Sequence, residues 1–434
     1  MASERRWIRA ARAVVAGLIF FVAAQRRAQA QTPPREPLVF VADPKMGVET
    51  SVRSIDSLGR LASRYEDVFP TVHIEERGFP GKLLRFVGRA AQLAFIDEPL
   101  AEVTTTLAHE AGGHGARARE LGFRPTFLFY LPGVYRLIFA PGDEASASAF
   151  TRYRTAGMVE GEKEVIGTLG GVEANYVHAW WINARVVRGE GWTNKSDLLL
   201  YTVAKLMYAD SFLTVRGRGD VERSNDVASY IGSLQDFSNG WRSRDRDQIA
   251  RRLRIGYIWN LADPMLLNAV YGSIVSVLAR GEPGRKAPLP RWRGNTLLVS
   301  PRFALTPFGA EHALDLFAGD ANGRLVDVYA RVGSSGLASY YGAGARILGL
   351  PLTNRFALGM ELDVWRQPEL LLDEHAVFDR PSRVGVNAGV YGDVRLGDVL
   401  SITGKLAGKT SGYLMGQPVG AGPHGYLGVS LAWR

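Results

Sequence analysis

Apolar and polar positions follow two periods along this chain, and the change falls at one place. From Gly81 to Arg280 the apolar residues recur at helical spacing in long stretches. The run Gly281 to Pro290, rich in proline and glycine, then marks a boundary. Beyond it the period falls to two: Val384, Val386, Ala388 and Val390 alternate with Gly385, Asn387, Gly389 and Tyr391. Leu427, Val429, Leu431 and Trp433 alternate in the same way with Gly428, Ser430 and Ala432. About eight such segments of roughly ten residues are expected as antiparallel strands. Their bounds are Asn295 to Leu305, Glu311 to Ala318, Arg324 to Val332, Ser339 to Leu348, Arg355 to Arg366, Arg383 to Leu396, Asp398 to Lys409 and His424 to Trp433.

Leu396-Gly397-Asp398 and Leu350-Pro351-Leu352-Thr353-Asn354 are short connections of the hairpin kind. Tyr340, Tyr341, Trp365, Tyr391, Tyr413, Tyr426 and Trp433 lie near segment ends, where an aromatic girdle sits. On this pattern the last third of the chain resembles a small outer-membrane β-barrel. It departs from that family at its end, where Arg434 follows Trp433. The same alternation also fits a soluble antiparallel sandwich or barrel, because a period of two does not say which face is wet.

Four apolar stretches of the helical part approach membrane-span length: Phe123 to Ala140, Val165 to Val187, Leu198 to Val215 and Ile255 to Ala279. Each contains groups that are costly in hydrocarbon, among them Arg124, Arg136, Glu173, Arg185, Lys205, Asp210 and Asp263. Buried helices fit them better than spans. Leu38 to Ala42 and Thr71 to Glu75 read as short strands, the edge of a small sheet. The fold class expected is therefore α+β, a mainly helical domain over 38–280 followed, after a linker over 281–294, by an antiparallel β-barrel of about eight strands over 295–434.

The N-terminus carries Arg5, Arg6, Arg9 and Arg12, then the apolar run Ala13 to Ala24, then Ala28-Gln29-Ala30. This is the layout of a signal peptide over residues 1–30, followed by a proline-rich linker over 31–37. It predicts export, with the outer membrane as destination and the periplasm as the alternative. Net charge is +9, and the arginines that carry it are spread along the chain rather than gathered on one element with stacking aromatics. That argues against nucleic acid as a partner. No phosphate loop or dinucleotide fingerprint is present, which argues against nucleotides. With no cysteine, thiolate metal sites and cysteine nucleophiles are excluded.

The chemistry is concentrated in His109-Glu110-Ala111-Gly112-Gly113-His114, within a helix expected over Pro99 to Leu121, with Asp97 and Glu98 at its start. Five residues separate the histidines, which on an ideal helix sets them about 140° apart. A π-bulge at Gly112-Gly113 would bring both rings to one ion. The string is similar to the HExxGH motif of the dipeptidyl peptidase III family of zinc peptidases, and the resemblance covers under ten residues. It implies that His109 and His114 are zinc ligands and that Glu110 takes a proton from the zinc-bound water.

A catalytic zinc keeps three protein ligands. Glu173 follows Gly170-Gly171 on an apolar stripe with Val177, Trp180, Trp181 and Ala184, so it is the candidate third ligand; its distance from His114 resembles gluzincin-type sites. The same carboxylate has a second reading, as the partner of Arg185 or another arginine. His178 is a candidate for binding the oxyanion or replacing Glu173, and Asp143 and Glu144 for orienting a ligand imidazole. The function expected is zinc-dependent hydrolysis of a peptide or protein substrate at the bacterial envelope. Two alternatives stand beside it: a non-enzymatic outer-membrane barrel with a helical plug or assembly domain, and an inner-membrane peptidase in which the apolar stretches are true spans.

Overall fold

The computed structural model describes residues 37–63, 78–139, 149–154, 161–189, 192, 195–215, 226–237, 241, 244–281, 289–320, 322–370, 372 and 381–432. The signal segment, the strand expected at Thr71 to Glu75, and Asp143 and Glu144 lie outside the described residues.

Helices and an antiparallel sheet make an α+β fold. Strand β1 (Leu38–Ala42) leads into α1 (Val48–Ala62). A continuous helical run follows: α2 (Gly78–Gln92), a π turn at Leu93–Asp97, α3 (Glu98–His109), a second π turn at Glu110–His114, and α4 (Gly115–Glu120). This helix does not start at Asp97 and Glu98 as its sequence suggested. Pro99 lacks an N–H and crowds the preceding turn, and the wider π turn just before it lets the helix pass through. Asp97, in place of capping, is buried against Lys195 at 2.9 Å.

Next come the hairpin strands β2 (Arg124–Phe129) and β3 (Ala149–Arg154), with α5 (Gly133–Phe139) between them. The central helix α6 (Glu162–Arg188) is 27 residues long and buried along nearly all of its length. It is succeeded by α7 (Lys195–Leu206), α8 (Ala209–Thr214), α9 (Asp226–Phe237), α10 (Arg246–Leu261), α11 (Pro264–Tyr271) and a π-helical segment at Gly272–Arg280.

The eight expected strand segments are present within a few residues of their expected bounds: β5 (Asn295–Thr306), β6 (Gly309–Gly319), β7 (Leu325–Ser334), β8 (Ser339–Pro351), β9 (Phe356–Pro368), β10 (Ser382–Arg395), β11 (Leu400–Lys409) and β12 (Gly422–Leu431). Two more join them. The short β4 (Arg291–Trp292) pairs with β5, and β1 pairs with β12 in antiparallel register, Phe40 opposite Val429. The result is a 10-stranded sheet in the order β1-β12-β11-β10-β9-β8-β7-β6-β5-β4. Among the described residues it is not closed into the expected barrel. Helices occupy its inner side: α6 packs on β5, β6 and β7, α10 packs on β5 and β6, and α1 packs on β1. Core residues from both parts are shared, with Trp180, Val187, Leu298 and Phe317 in one cluster. An inner face filled by a helix does not need the last two strands to meet.

The two faces of the sheet are inverted relative to a soluble sandwich. Glu311, Asp315, Asp327, Arg331, Glu361, Asp363, Asn387 and Lys405 point inward and are buried, with Asp327 0% and Glu361 3% exposed. Their charges meet there: Arg331 donates to Glu311 at 2.8 Å, and Lys405 lies 2.9 Å from both Glu49 and Glu361. Outward stand Leu314, Leu316, Val332, Leu362, Val386 and Val390, together with Val384 (70% exposed), Leu406 (67%) and Leu427 (68%). Among the described residues no single helix is long and apolar enough to cross a membrane. The bent pair Arg246–Leu261 and Pro264–Arg280, turned by 64°, passes by length and composition.

Candidate metal centre

The π turn decides the geometry of the motif. Glu110–His114 has one residue more per turn than an α-helix, so the two imidazoles that straight helical geometry would separate fall on one side. Their centroids are 4.8 Å apart and their Nε2 atoms 3.2 Å apart. Packing explains why the turn sits at Gly112-Gly113. Helix α6 crosses there at backbone contact, and a Cβ on Gly113 would come within 2.4 Å of the Gly170 carbonyl oxygen. A Cβ on Gly171 would overlap both imidazoles. Gly113 and the Gly170-Gly171 pair are thus the two sides of one helix crossing, while Gly112 packs against Val52 of α1.

The third polar group beside the two rings is Asp226, at the start of α9. Its Oδ2 lies 2.9 Å from His109 Nε2 and 3.0 Å from His114 Nε2. His109, His114 and Asp226 form a group whose donor atoms lie within 4.8 Å of one another and that could hold a metal ion. His114 Nδ1 donates to the Gly167 carbonyl at 2.7 Å, which turns Nε2 toward the group. Asp226 keeps 25% of its side chain exposed, so the group is not sealed from solvent.

Tyr208, at the junction of α7 and α8, completes the surroundings. Its hydroxyl lies 2.8 Å from His109 Nε2 and donates to Asp226 Oδ2 at 2.6 Å, while its ring stacks on His109. Glu110 is buried and accepts a hydrogen bond from Thr151 of β3 at 2.5 Å. That contact ties the hairpin to the motif.

Charges within the group shift one another. Burial opposes protonation of His114, yet the Asp226 carboxylate beside it outweighs burial and, with help from Glu110, raises the pKa to about 9. For Asp226, burial acts upward, and the two imidazoles outweigh it and hold the carboxyl well below its usual range. Burial and the Asp226 charge together push the Tyr208 phenol well above its ordinary value.

Glu173, expected as third ligand, is not in this group. Its Oε2 accepts from Arg117 Nε at 2.7 Å, and its Oε1 accepts from Arg117 Nη2 and from the Gly416 backbone N–H, the latter at 2.7 Å. Arg117 stands one turn after His114 on the same helix and claims the carboxylate, so the buried charge is paired by an arginine, though not by Arg185. That arginine is held by Asp56 at 2.8 Å and Asp197 at 2.7 Å. His178 is also elsewhere, its Nε2 2.9 Å from Asp56 Oδ1 in the core between α1 and α6. Asp226 and Tyr208 carried no signal in the sequence. An aspartate opening a helix is an ordinary capping residue, and it stands over a hundred positions from the motif.

Compared with protein-family models, curated proteins and solved structures, the chain matches none.

Proposed function

We propose that this protein is an exported zinc metallopeptidase embedded in the bacterial outer membrane. The observation that carries the reading is the convergence of His109, His114 and Asp226 on one point, beside Glu110. Two imidazoles and a carboxylate, in a chain without thiols, are the donor set of a catalytic zinc with a remaining position for substrate. When bound, zinc supplies Lewis acidity for a scissile carbonyl and makes water a nucleophile at neutral pH. Glu110 accepts the proton of the attacking water and returns it to the leaving amine. Thr151 fixes the Glu110 carboxylate, and the Gly167 carbonyl fixes the orientation of the His114 ring.

The inverted sheet supports the location. A soluble sheet buries its apolar face, whereas here the outward face carries valine and leucine on successive strands and the charges are inside. Helix α2 also presents apolar side chains to the outside: Phe79, Leu83, Phe86 and Val87 are exposed on it.

The test is metal content and peptide hydrolysis by the purified chain. Stoichiometric zinc is expected in the wild type and in Glu110→Gln, with hydrolysis reduced about 10²- to 10⁴-fold in the latter. Zinc is expected to be lost when His109 and His114 are both replaced by alanine; zinc retained in that double variant would end the proposal. One observation favours a second reading, a barrel-like protein with a helical plug: α6 fills the inner side of the sheet. That reading expects no stoichiometric metal in the wild type.

A further inference from the structure

We infer that Tyr208 is the fourth donor of the metal centre, an inference that rests on the metal-binding reading above. The three proposed ligand atoms are separated by 3.2, 2.9 and 3.0 Å, and the Tyr208 hydroxyl stands 2.8 Å from one of them and 2.6 Å from another. A tetrahedral zinc with bonds of about 2.0 Å has edges of about 3.3 Å between its donors. Five of the six donor–donor separations of such a set are thus 2.6–3.2 Å, slightly contracted from that edge, with the phenol oxygen beside both His109 and Asp226. Two contacts hold it there. The Tyr208 ring stacks on His109 at 5.1 Å with 23° between the planes, and its hydroxyl is bonded to the Asp226 oxygen that also meets both imidazoles.

Coordination replaces the phenolic hydrogen, which leaves to solvent as a proton, and no electron is transferred. With Tyr208 bound, the position that the peptidase reading reserves for water and substrate is filled, so the phenol must leave the metal before hydrolysis can begin. Tyr208 stands between two helices rather than inside one.

Copper(II) is the probe, because a phenolate bound to it absorbs in the visible and a phenol that is merely nearby does not. Wild-type protein loaded with one copper is expected to show that band, and Tyr208→Phe, which keeps the stacked ring, to lack it. Zinc affinity measured by competition is expected to fall roughly tenfold or more in Tyr208→Phe. Tyr208→His is expected to recover affinity without the band. Stoichiometric copper without the band, or unchanged zinc affinity in Tyr208→Phe, overturns the inference while leaving the three-ligand reading intact. A wild type that binds neither zinc nor copper overturns both.

Discussion

A methyl group on Gly171 would lie 2.1 Å from His109 Cε1 and 2.6 Å from His114 Nε2, far inside van der Waals contact. Helix α6 cannot yield, because Gly170 already rests on the backbone of the motif helix, so the rings must move. Gly171→Ala is therefore expected to abolish zinc binding while far-ultraviolet circular dichroism shows the helices retained. Protonation acts on the same atoms. With its pKa at about 9, His114 is protonated in the metal-free protein at neutral pH, and a metal must displace that proton. Apparent zinc affinity is thus expected to climb about tenfold per pH unit through neutrality and to level off above about 9, measured by competition titration. The sign for the metal-free fold is the opposite. A folded pKa above the unfolded value of about 6.5 stabilises fully below that pH, and the contribution is lost as pH rises through about 9.

Among the elements, Arg117 ties the motif helix to α6 and to the segment after β11. This side chain is wholly buried and donates to Glu173 of α6, to Glu120 one turn ahead at 2.5 Å, and to the Gln417 carbonyl after β11 at 3.0 Å. Removing one partner of a buried pair leaves an uncompensated charge, at a cost of about 3–5 kcal/mol. Arg117→Met is expected to lower stability by that amount in denaturant titration. Glu173→Gln, which keeps the shape and one acceptor oxygen, is expected to cost less and to leave zinc content unchanged. Loss of zinc in Glu173→Gln with the fold intact would return Glu173 to the ligand set. The π turns belong to this scale too, since one passes Pro99 and the other aligns the histidines.

For the molecule as a whole, the outward apolar face is where the proposed membrane location is tested. If hydrocarbon covers it, an arginine there costs about 2–4 kcal/mol near the bilayer midplane and much less near the interfaces. Leu406→Arg and Val390→Arg are expected to reduce the membrane-assembled fraction in fractionation and in folding assays with lipid vesicles. Wild-type levels of assembled protein for both, with the chain monomeric in water without detergent, would contradict the membrane reading. Inward replacements act differently. Lys405→Met is expected to remove the ammonium that Glu49 and Glu361 share in the interior, and to destabilise the fold in lipid and detergent alike.

Local chemistry determined the parts that the sequence alone establishes. Period-two alternation depends only on neighbours in the chain, so the eight long strands and their bounds were legible, as was the motif with its glycine pair at the place where the helix bulges. Contacts between distant segments decided the rest. Whether β12 pairs with β5 or with β1, which face of the sheet is apolar to the outside, and whether Glu173 meets a metal or Arg117 are each settled by which element packs opposite, and that is not written in local spacing. Asp226 and Tyr208 join the histidines because α9 and the α7–α8 junction arrive beside a helix crossing made possible by glycines. One acidic residue among many becomes a candidate ligand only through that arrangement.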